Sequence, residues 1–252
     1  MRRLLLIIPV ALSLIVIAVF AQTLHTLDRS IDPPTSQAEW QVFNAWAAQP
    51  GISGIVNLGG VPMSTISVDL LFLVDGNEWI SDTVSTQPDG SYQFSKVAAL
   101  NPGEAYQVSF NNPYLDPQFL AFWYTPKIET YSANDSVQMA PFDIENIPQL
   151  YPPDNFTATL PVTFTWTARH DITDSYQLHI MNIFGEDYYS PLLPYTDHIR
   201  LDTLPIELSY DELYYWEMVV YSPDGGNGVN TDFFGIQFTD PYEYIYLPLL
   251  TR

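Results

Sequence analysis

Cysteine is absent from this 252-residue chain. No disulfide framework and no thiol chemistry is open to it, and no cysteine stands ready for a lipid after an export signal. Basic residues are scarce as well: 8 Lys and Arg face 29 Asp and Glu, for a formal net charge of −21. Phosphate binding needs clustered cations, so nucleic acid is excluded as a partner and anionic lipid is disfavoured. The acidity suits solubility outside the cell. Known catalytic signatures are missing too. There is no Gly-x-Ser-x-Gly elbow, no His-Glu-x-x-His helix, no phosphate-cradling glycine loop and no dinucleotide fingerprint. The expectation is a chain that is not an enzyme, with no catalytic residue, no cofactor and no metal.

What is present begins with an export segment. Residues 1–21 open on "MRR", continue as "LLLIIPVALSLIVIAVFA", and offer Val19 and Ala21 for cleavage before Gln22. The apolar run is long for a signal and near the minimum for a membrane span. Two fates stay open: removal, or retention as an N-terminal anchor. Either way the remainder is expected to be secreted or held at the cell surface, with residues 1–21 its sole link to a membrane. Hydrophobic residues make up 47% of the chain and aromatics 15%, enough for cores that hold without disulfides.

Residues 22–51 read as a lead-in. It is polar and proline-containing at first, then one short helix from Ser36, with Glu39 at capping-box spacing and Trp40, Phe43 and Ala47 on one face. From Ile52 the period changes to two. "ISGIVN", "TISVDLLFLV", "EWISDTVS", "SYQFSKV", "AYQVSFNN", "FLAFWYT" and "SVQMAPFDI" alternate apolar and polar residues between Gly, Pro, Asn and Asp turns. In "STQPDGSYQFSKV", Pro88-Asp89-Gly90 reads as a hairpin turn, with Gly90 free to take positive φ. "DIENIPQLYPPDN", residues 143–155, breaks the alternation and reads as an exposed linker. Residues 52–148 and 149–240 are therefore expected to be two all-β units that fold separately, followed by an apolar tail, 241–252. The fold class is all-β: two tandem antiparallel Greek-key sandwiches.

Two resemblances sharpen this. Gly59-Gly60-Val61-Pro62, then "TISVDLLFL", then "TQPDGSYQFSKVAALNPGEAYQVSF" resembles the carboxypeptidase regulatory-like, transthyretin-like sandwich of exported bacterial proteins. The resemblance implies a structural or interaction module. Some wall-anchored relatives of that sandwich carry a Lys–Asn cross-link from the first strand; Lys96 and Lys127 lie elsewhere, so none is expected here. The later segment resembles a fibronectin type III domain through Pro161, Phe164, Trp166, Tyr176, Leu178 and Ile180. Leu208, Tyr214, Trp216, Met218 and Val220 continue the pattern. It implies core positions for Trp166 and Trp216 and a corner role for Tyr214, whose hydroxyl bonds back to backbone. The family's Arg-Gly-Asp is missing. The tail also lacks the glycine that a sortase signal needs after Thr251.

Remaining groups admit weaker readings. His179 falls on the strand face opposite Leu178 and Ile180 and reads as outward-facing. His170 and Asp174 flank a turn and make a poor metal pair, since zinc needs three or four ligands. Asp224, Asn227, Asn230 and Asp232 are oxygen donors of the kind calcium takes, without EF-hand spacing. Glu186-Asp187 and Asp211-Glu212 read as solvated turns rather than a hydrolytic dyad. Trp123, Tyr124, Tyr188 and Tyr189 are the candidate ligand-facing aromatics. The function expected is a non-catalytic cell-surface or extracellular module for adhesion or scaffolding, with an extracellular protein or glycan as partner. The alternative is a carbohydrate-binding protein with an exposed aromatic face.

Overall fold

The computed structural model describes residues 50–240. The export segment, the helix expected from Ser36 and the tail 241–252 lie outside the described residues. Within them every regular element is a strand.

In the first half the strands are β1 (Gly51–Leu58), β2 (Val61–Pro62), β3 (Ser67–Val74), β4 (Asn77–Ser85), β5 (Ser91–Phe94), β6 (Glu104–Asn111), β7 (Phe122–Tyr124), β8 (Ser136–Gln138) and β9 (Phe142–Asp143). In the second half they are β10 (Gln149–Tyr151), β11 (Phe156–Ala158), β12 (Val162–Trp166), β13 (Ser175–Met181), β14 (Asp187–Tyr189), β15 (His198–Leu201), β16 (Leu213–Tyr221), β17 (Asn227–Val229) and β18 (Phe234–Phe238). All of them fall in one compact unit.

They form three sheets. β1 is the centre of a small sheet, antiparallel to β2 and β5 and parallel to β8 and β9. β10, β12 and β15 form a second small antiparallel sheet. The third sheet has ten strands and runs through both halves in the order β11-β18-β16-β17-β7-β6-β3-β4, with β13 on β16 and β14 on β13. Alternation decides what each sheet buries. Ile52, Val56, Tyr92, Phe94 and Phe142 point from the first small sheet, and Val162, Phe164, Trp166 and Leu201 from the second. Both sets meet Val68, Leu70, Val108, Leu178, Trp216 and Val220 of the long sheet in one continuous core. The small sheets therefore lie on the same face of the long one, giving two sandwiches with a shared layer.

Turn chemistry works as the residues demand, with one change of role. Asp75-Gly76, both at positive φ, close the β3–β4 hairpin. Pro88-Asp89-Gly90 closes no hairpin. It carries the chain from β4 in the long sheet to β5, whose partner is β1. Gly90 has φ 74°, and a Cβ there would sit 2.7 Å from the Val56 carbonyl oxygen, so glycine is required on both counts. Local sequence specifies such a turn but not which strand receives the next one.

Trp166 and Trp216 are core residues, with the Trp216 ring edge-on to Phe164 at 5.1 Å. The Tyr214 oxygen accepts the Ser209 N–H at 2.7 Å and its hydroxyl donates to Glu186, which is the expected corner. His179 departs from expectation: it is 1% exposed. The long sheet is buried on its second face as well, where Gln177, Val219, Val229 and Phe122 share its row and the neighbouring ones. Period-two alternation distinguishes the two faces of a strand but says nothing about whether the second is enclosed. His179 Nδ1 lies 2.8 Å from Glu217 Oε1 and the ring stacks on Tyr189 at 3.9 Å. These partners satisfy a polar group that would otherwise be costly to bury.

Candidate functional site at the junction of the halves

The 143–155 segment is enclosed in its first part and exposed in its second, where Leu150, Tyr151, Pro153, Asp154 and Asn155 face solvent. Asp143, Ile144, Asn146, Ile147 and Gln149 are all buried. Ile144 and Ile147 belong to the hydrophobic core. Around this segment the two sandwiches are stitched together. β7 pairs antiparallel with β17, Trp123 opposite Gly228. Thr231 N–H donates to Asn146 Oδ1 at 3.0 Å, and Gln149 Nε2 donates to the Trp216 carbonyl at 2.6 Å.

A charged cluster lies at the same junction. Asp143, at the end of β9, receives the Gly59 N–H at Oδ1 and the Gly60 N–H at Oδ2, at 3.1 and 2.7 Å. The turn can present both amides because each glycine has positive φ, 59° and 77°. The β12–β13 connection brings in Arg169 and His170 from the other half. Arg169 is buried, with Nη2 3.7 Å from Asp143 Oδ1 and Nε 3.4 Å from Asp174 Oδ2. Its guanidinium stands 5.4 Å from the centre of the Trp123 ring, which in turn stacks flat on Phe142. Burial pushes the Asp174 carboxyl up to about 6, and the Arg169 charge opposes that rise.

His170 turns away from Asp174 toward the first half. Its Nδ1 is 2.8 Å from Glu145 Oε2 and its Nε2 is 3.8 Å from Asp143 Oδ2. Asp143, Glu145 and His170 can each offer one ligand atom, all within 4.8 Å of one another. Among the described residues this is the trio placed to hold a metal. Its members lie up to 27 positions apart and on different halves, so no spacing pattern in the chain could announce it. The one local signal was the His170 side of the turn, which had been paired with the wrong carboxylate.

The other candidates fall elsewhere. Asn230 is consumed by structure, its Oδ1 accepting the Met218 N–H and its Nδ2 donating to the Asp232 carbonyl. Asp224 accepts from the Ser222 hydroxyl. Of the four aromatics, Trp123 is 1% exposed and enclosed in the junction. Tyr124 follows it on the opposite sheet face and is partly buried, its phenol pushed up to about 12 by burial and then by Glu78. Tyr188 and Tyr189 are half-buried on β14 in the second half. The four do not form one coplanar row.

Exposed apolar side chains are spread over both halves, and four of them lie on two loops at one end of the second sandwich. The turn between β13 and β14 displays Ile183 and Phe184, the latter 77% exposed. The β15–β16 connection displays Ile206, 96% exposed, and Tyr210. Glu186 joins the two loops by accepting from the Tyr214 hydroxyl and the Ser209 hydroxyl. Asp187, Glu207, Asp211 and Glu212 lie in or beside the same loops.

No family model and no curated protein matches the chain. Three solved structures are similar in part. The FN1–FN3 domains of chicken CNTN1 share 10% identity, cover 76% of this chain and 67% of theirs, with a TM-score of 0.29. A 1.5-MDa bacterial ice-binding adhesin shares 8%, covering 76% and 66%, at 0.27. A tetra-tandem repeat from the extending region of a large adhesion protein shares 12%, covering 75% and 48%, at 0.22. The chain thus spans about two thirds of the first two structures and about half of the third. Likeness at this level transfers no activity and no partner.

Proposed function

We propose that the chain is a non-catalytic, exported interaction module whose binding surface is the loop end of the second sandwich. The observation that carries this is the exposure of Ile183, Phe184, Ile206 and Tyr210 on two loops that Glu186 fastens together. Isolated exposed apolar residues are ordinary, but several on adjoining loops mark a contact surface. Asp187, Glu207, Asp211 and Glu212 give that surface a negative border, so the partner is an extracellular protein with an apolar patch rimmed by Lys and Arg. The enclosed Trp123 removes the largest ring from a sugar-stacking reading. Among the described residues no helix is long and apolar enough to cross a membrane. Residues 1–21, when uncleaved, are the membrane link in this reading. The carboxypeptidase regulatory-like character of residues 52–148 belongs to the same proposal and is supported by the Gly59-Gly60 turn and the β1–β5 pairing.

The test immobilises the full chain and a Phe184→Ser/Ile206→Ser variant, and offers each the solubilised proteins of the cell envelope and, separately, an array of glycans. A protein ligand retained by the parent, lost from the variant and weakened by salt supports the reading. Retention indifferent to the double substitution, or retention of glycans alone, overturns it.

A further inference from the structure

The two halves share one hydrogen-bonding pattern. Gln107 Nε2 donates to the Thr125 carbonyl at 2.6 Å, and Gln177 Nε2 donates to the Ser190 carbonyl at 2.6 Å. The Val108 N–H donates to Thr125 Oγ1 at 3.1 Å, and the Leu178 N–H donates to Ser190 Oγ at 3.0 Å. A proline follows in both, Pro126 and Pro191. Tyr106 bridges to Ile128 as Tyr176 bridges to Leu193. The register agrees as well: Ser109 opposite Tyr124 recurs as His179 opposite Tyr189. β14 is therefore the counterpart of β7. On the other flank, Leu71 opposite Gln107 recurs as Val219 opposite Gln177, so β16 is the counterpart of β3. Leu71 in turn pairs with Ile80 of β4, and Val219 with Val229 of β17. β4 is thus the counterpart of β17.

These equivalences leave two matching edges. Inside the chain β17 lies on β7, with Val229 opposite Phe122. Among the described residues β4 pairs with β3 and no second strand, and β14 pairs with β13 alone. The first half presents the kind of strand that docks, and the second half the kind that receives. β4 also displays Trp79 and Ile80 side by side, 52% and 62% exposed, and an exposed edge strand templates pairing with another chain. From this we infer that β14 receives β4 of a second copy of this chain, repeating the β7–β17 junction with Ile80 opposite Asp187. The contact is heterologous, so copies add head to tail. One position departs from the repeat: Trp79 stands where Gly228 does. Gly228 is hemmed in by Leu120 and Trp123. The Asn112–Ala121 backbone bond recurs as Asn182–Glu186, so Gly185 takes the place of Leu120, and Tyr188 that of Trp123. These smaller residues leave room for the Trp79 side chain. Glu78 and Asp82 on β4 and Asp187 on β14 carry like charge, and β14 is only three residues long. The contact is accordingly weak and is strengthened by salt, which screens the repulsion. It uses a sheet edge and not the apolar loop end proposed above, so either reading can fail without the other.

The cysteine-free chain lends itself to site-specific cross-linking. Full chain carrying Ile80→Cys is mixed with full chain carrying Asp187→Cys in a mild non-ionic detergent, at about 1 mM, near the weak limit of useful affinity. A bimane reagent that fluoresces only on bridging two thiols reads the contact, since directly opposed residues stand about 4.5–5.5 Å apart at Cβ. The mixed dimer should form in several-fold excess over that from Ile172→Cys with Asp187→Cys, Ile172 being a comparably exposed residue away from the β4 edge. Its yield should rise with salt. The doubly substituted Ile80→Cys/Asp187→Cys chain should give a series of open oligomers. Ile206→Ser, at the loop end, should leave the yield unchanged. Far-ultraviolet circular dichroism shows that each variant is folded. The inference fails if folded Ile80→Cys and Asp187→Cys chains cross-link no better than the Ile172→Cys control, or if salt suppresses the product. It fails equally if the doubly substituted chain stops at a closed dimer, or if Ile206→Ser abolishes the product, which would assign the contact to the loop end.

Discussion

Replacing Gly228 by alanine tests whether the two sandwiches are one cooperative unit. Gly228 lies in β17 opposite Trp123 of β7, where the long sheet crosses from one half to the other. A Cβ there would come within 2.7 Å of the Phe122 carbonyl oxygen and 2.8 Å of both Leu120 Cδ1 and Trp123 Cε3. Leu120 could rotate away. The Phe122 carbonyl is backbone and cannot, so relief requires the β7–β17 pairing to open. Overpacking costs about 1–3 kcal/mol, and each backbone hydrogen bond lost at the seam about 1 kcal/mol. A loss of about 2–4 kcal/mol follows, a large share of the ~5–15 kcal/mol that holds a typical domain. Urea unfolding followed by tryptophan fluorescence and by circular dichroism measures it. The parent should unfold in one transition by both probes, and Gly228→Ala should lower its midpoint or split it in two. Gly76→Ala is the control, since a Cβ at Gly76 meets nothing within 4 Å and its φ of 74° costs about 1–2 kcal/mol of backbone strain. A parent that unfolds in two separate steps, with Gly228→Ala shifting only one, would refute the reasoning and restore independent sandwiches.

Trp166→Ala should cost about 3–5 kcal/mol by the same assay, because the ring is buried against Tyr176; a variant that unfolds like the parent would contradict the core assignment. Tyr214→Phe should cost about 1–2 kcal/mol, since the Ser209 N–H loses its acceptor and the Glu186 carboxylate loses one of its donors, and hydrogen exchange at Ser209 should speed up. Asp174 should make stability fall as pH rises from about 4 to 6. Burial pushes it up to about 6 in the folded chain from an ordinary 3.8, so between them the folded chain keeps a proton that the unfolded chain has released. The contribution is full below about 4 and lost above 6. Asp174→Asn should remove that slope, read as the difference between the two stability–pH curves; parallel curves would reject it.

The strands were legible because each obeys a local rule. Tyr92 and Phe94 alternate with Ser91, Gln93 and Ser95, and β5 lies across them. Trp166 and Trp216 alternate with polar neighbours, and both are core. What stayed hidden was pairing between distant segments. Nothing near Pro88 says that β5 leaves β4 for β1. Nothing near Trp123 says that it will face Gly228, about 100 residues later. The enclosed second face of the long sheet turned His179 inward against a pattern that described its strand correctly. The Asp143–Glu145–His170 trio was hidden for the same reason: its members meet only once the junction has formed.

That dependence on distant pairing bears on how a chain without cysteine holds two sandwiches together. A disulfide closing a loop of about 100 residues stabilises by about 4.7 kcal/mol in the chain-entropy model, by restricting the unfolded state. Here the span from Trp123 to Gly228 is closed by contacts instead. The short β7–β17 ladder, the Thr231–Asn146 bond, the Gln149–Trp216 bond and the Arg169–Trp123 stack all cross it. At about 1 kcal/mol for each hydrogen bond and ~0.5–2 kcal/mol for the stack, the sum is of the same order as the missing cross-link. The mechanism differs, because these contacts exist only in the folded state and leave the unfolded chain unrestricted. Contacts of this kind that are absent from the folding transition state slow unfolding more than they speed folding.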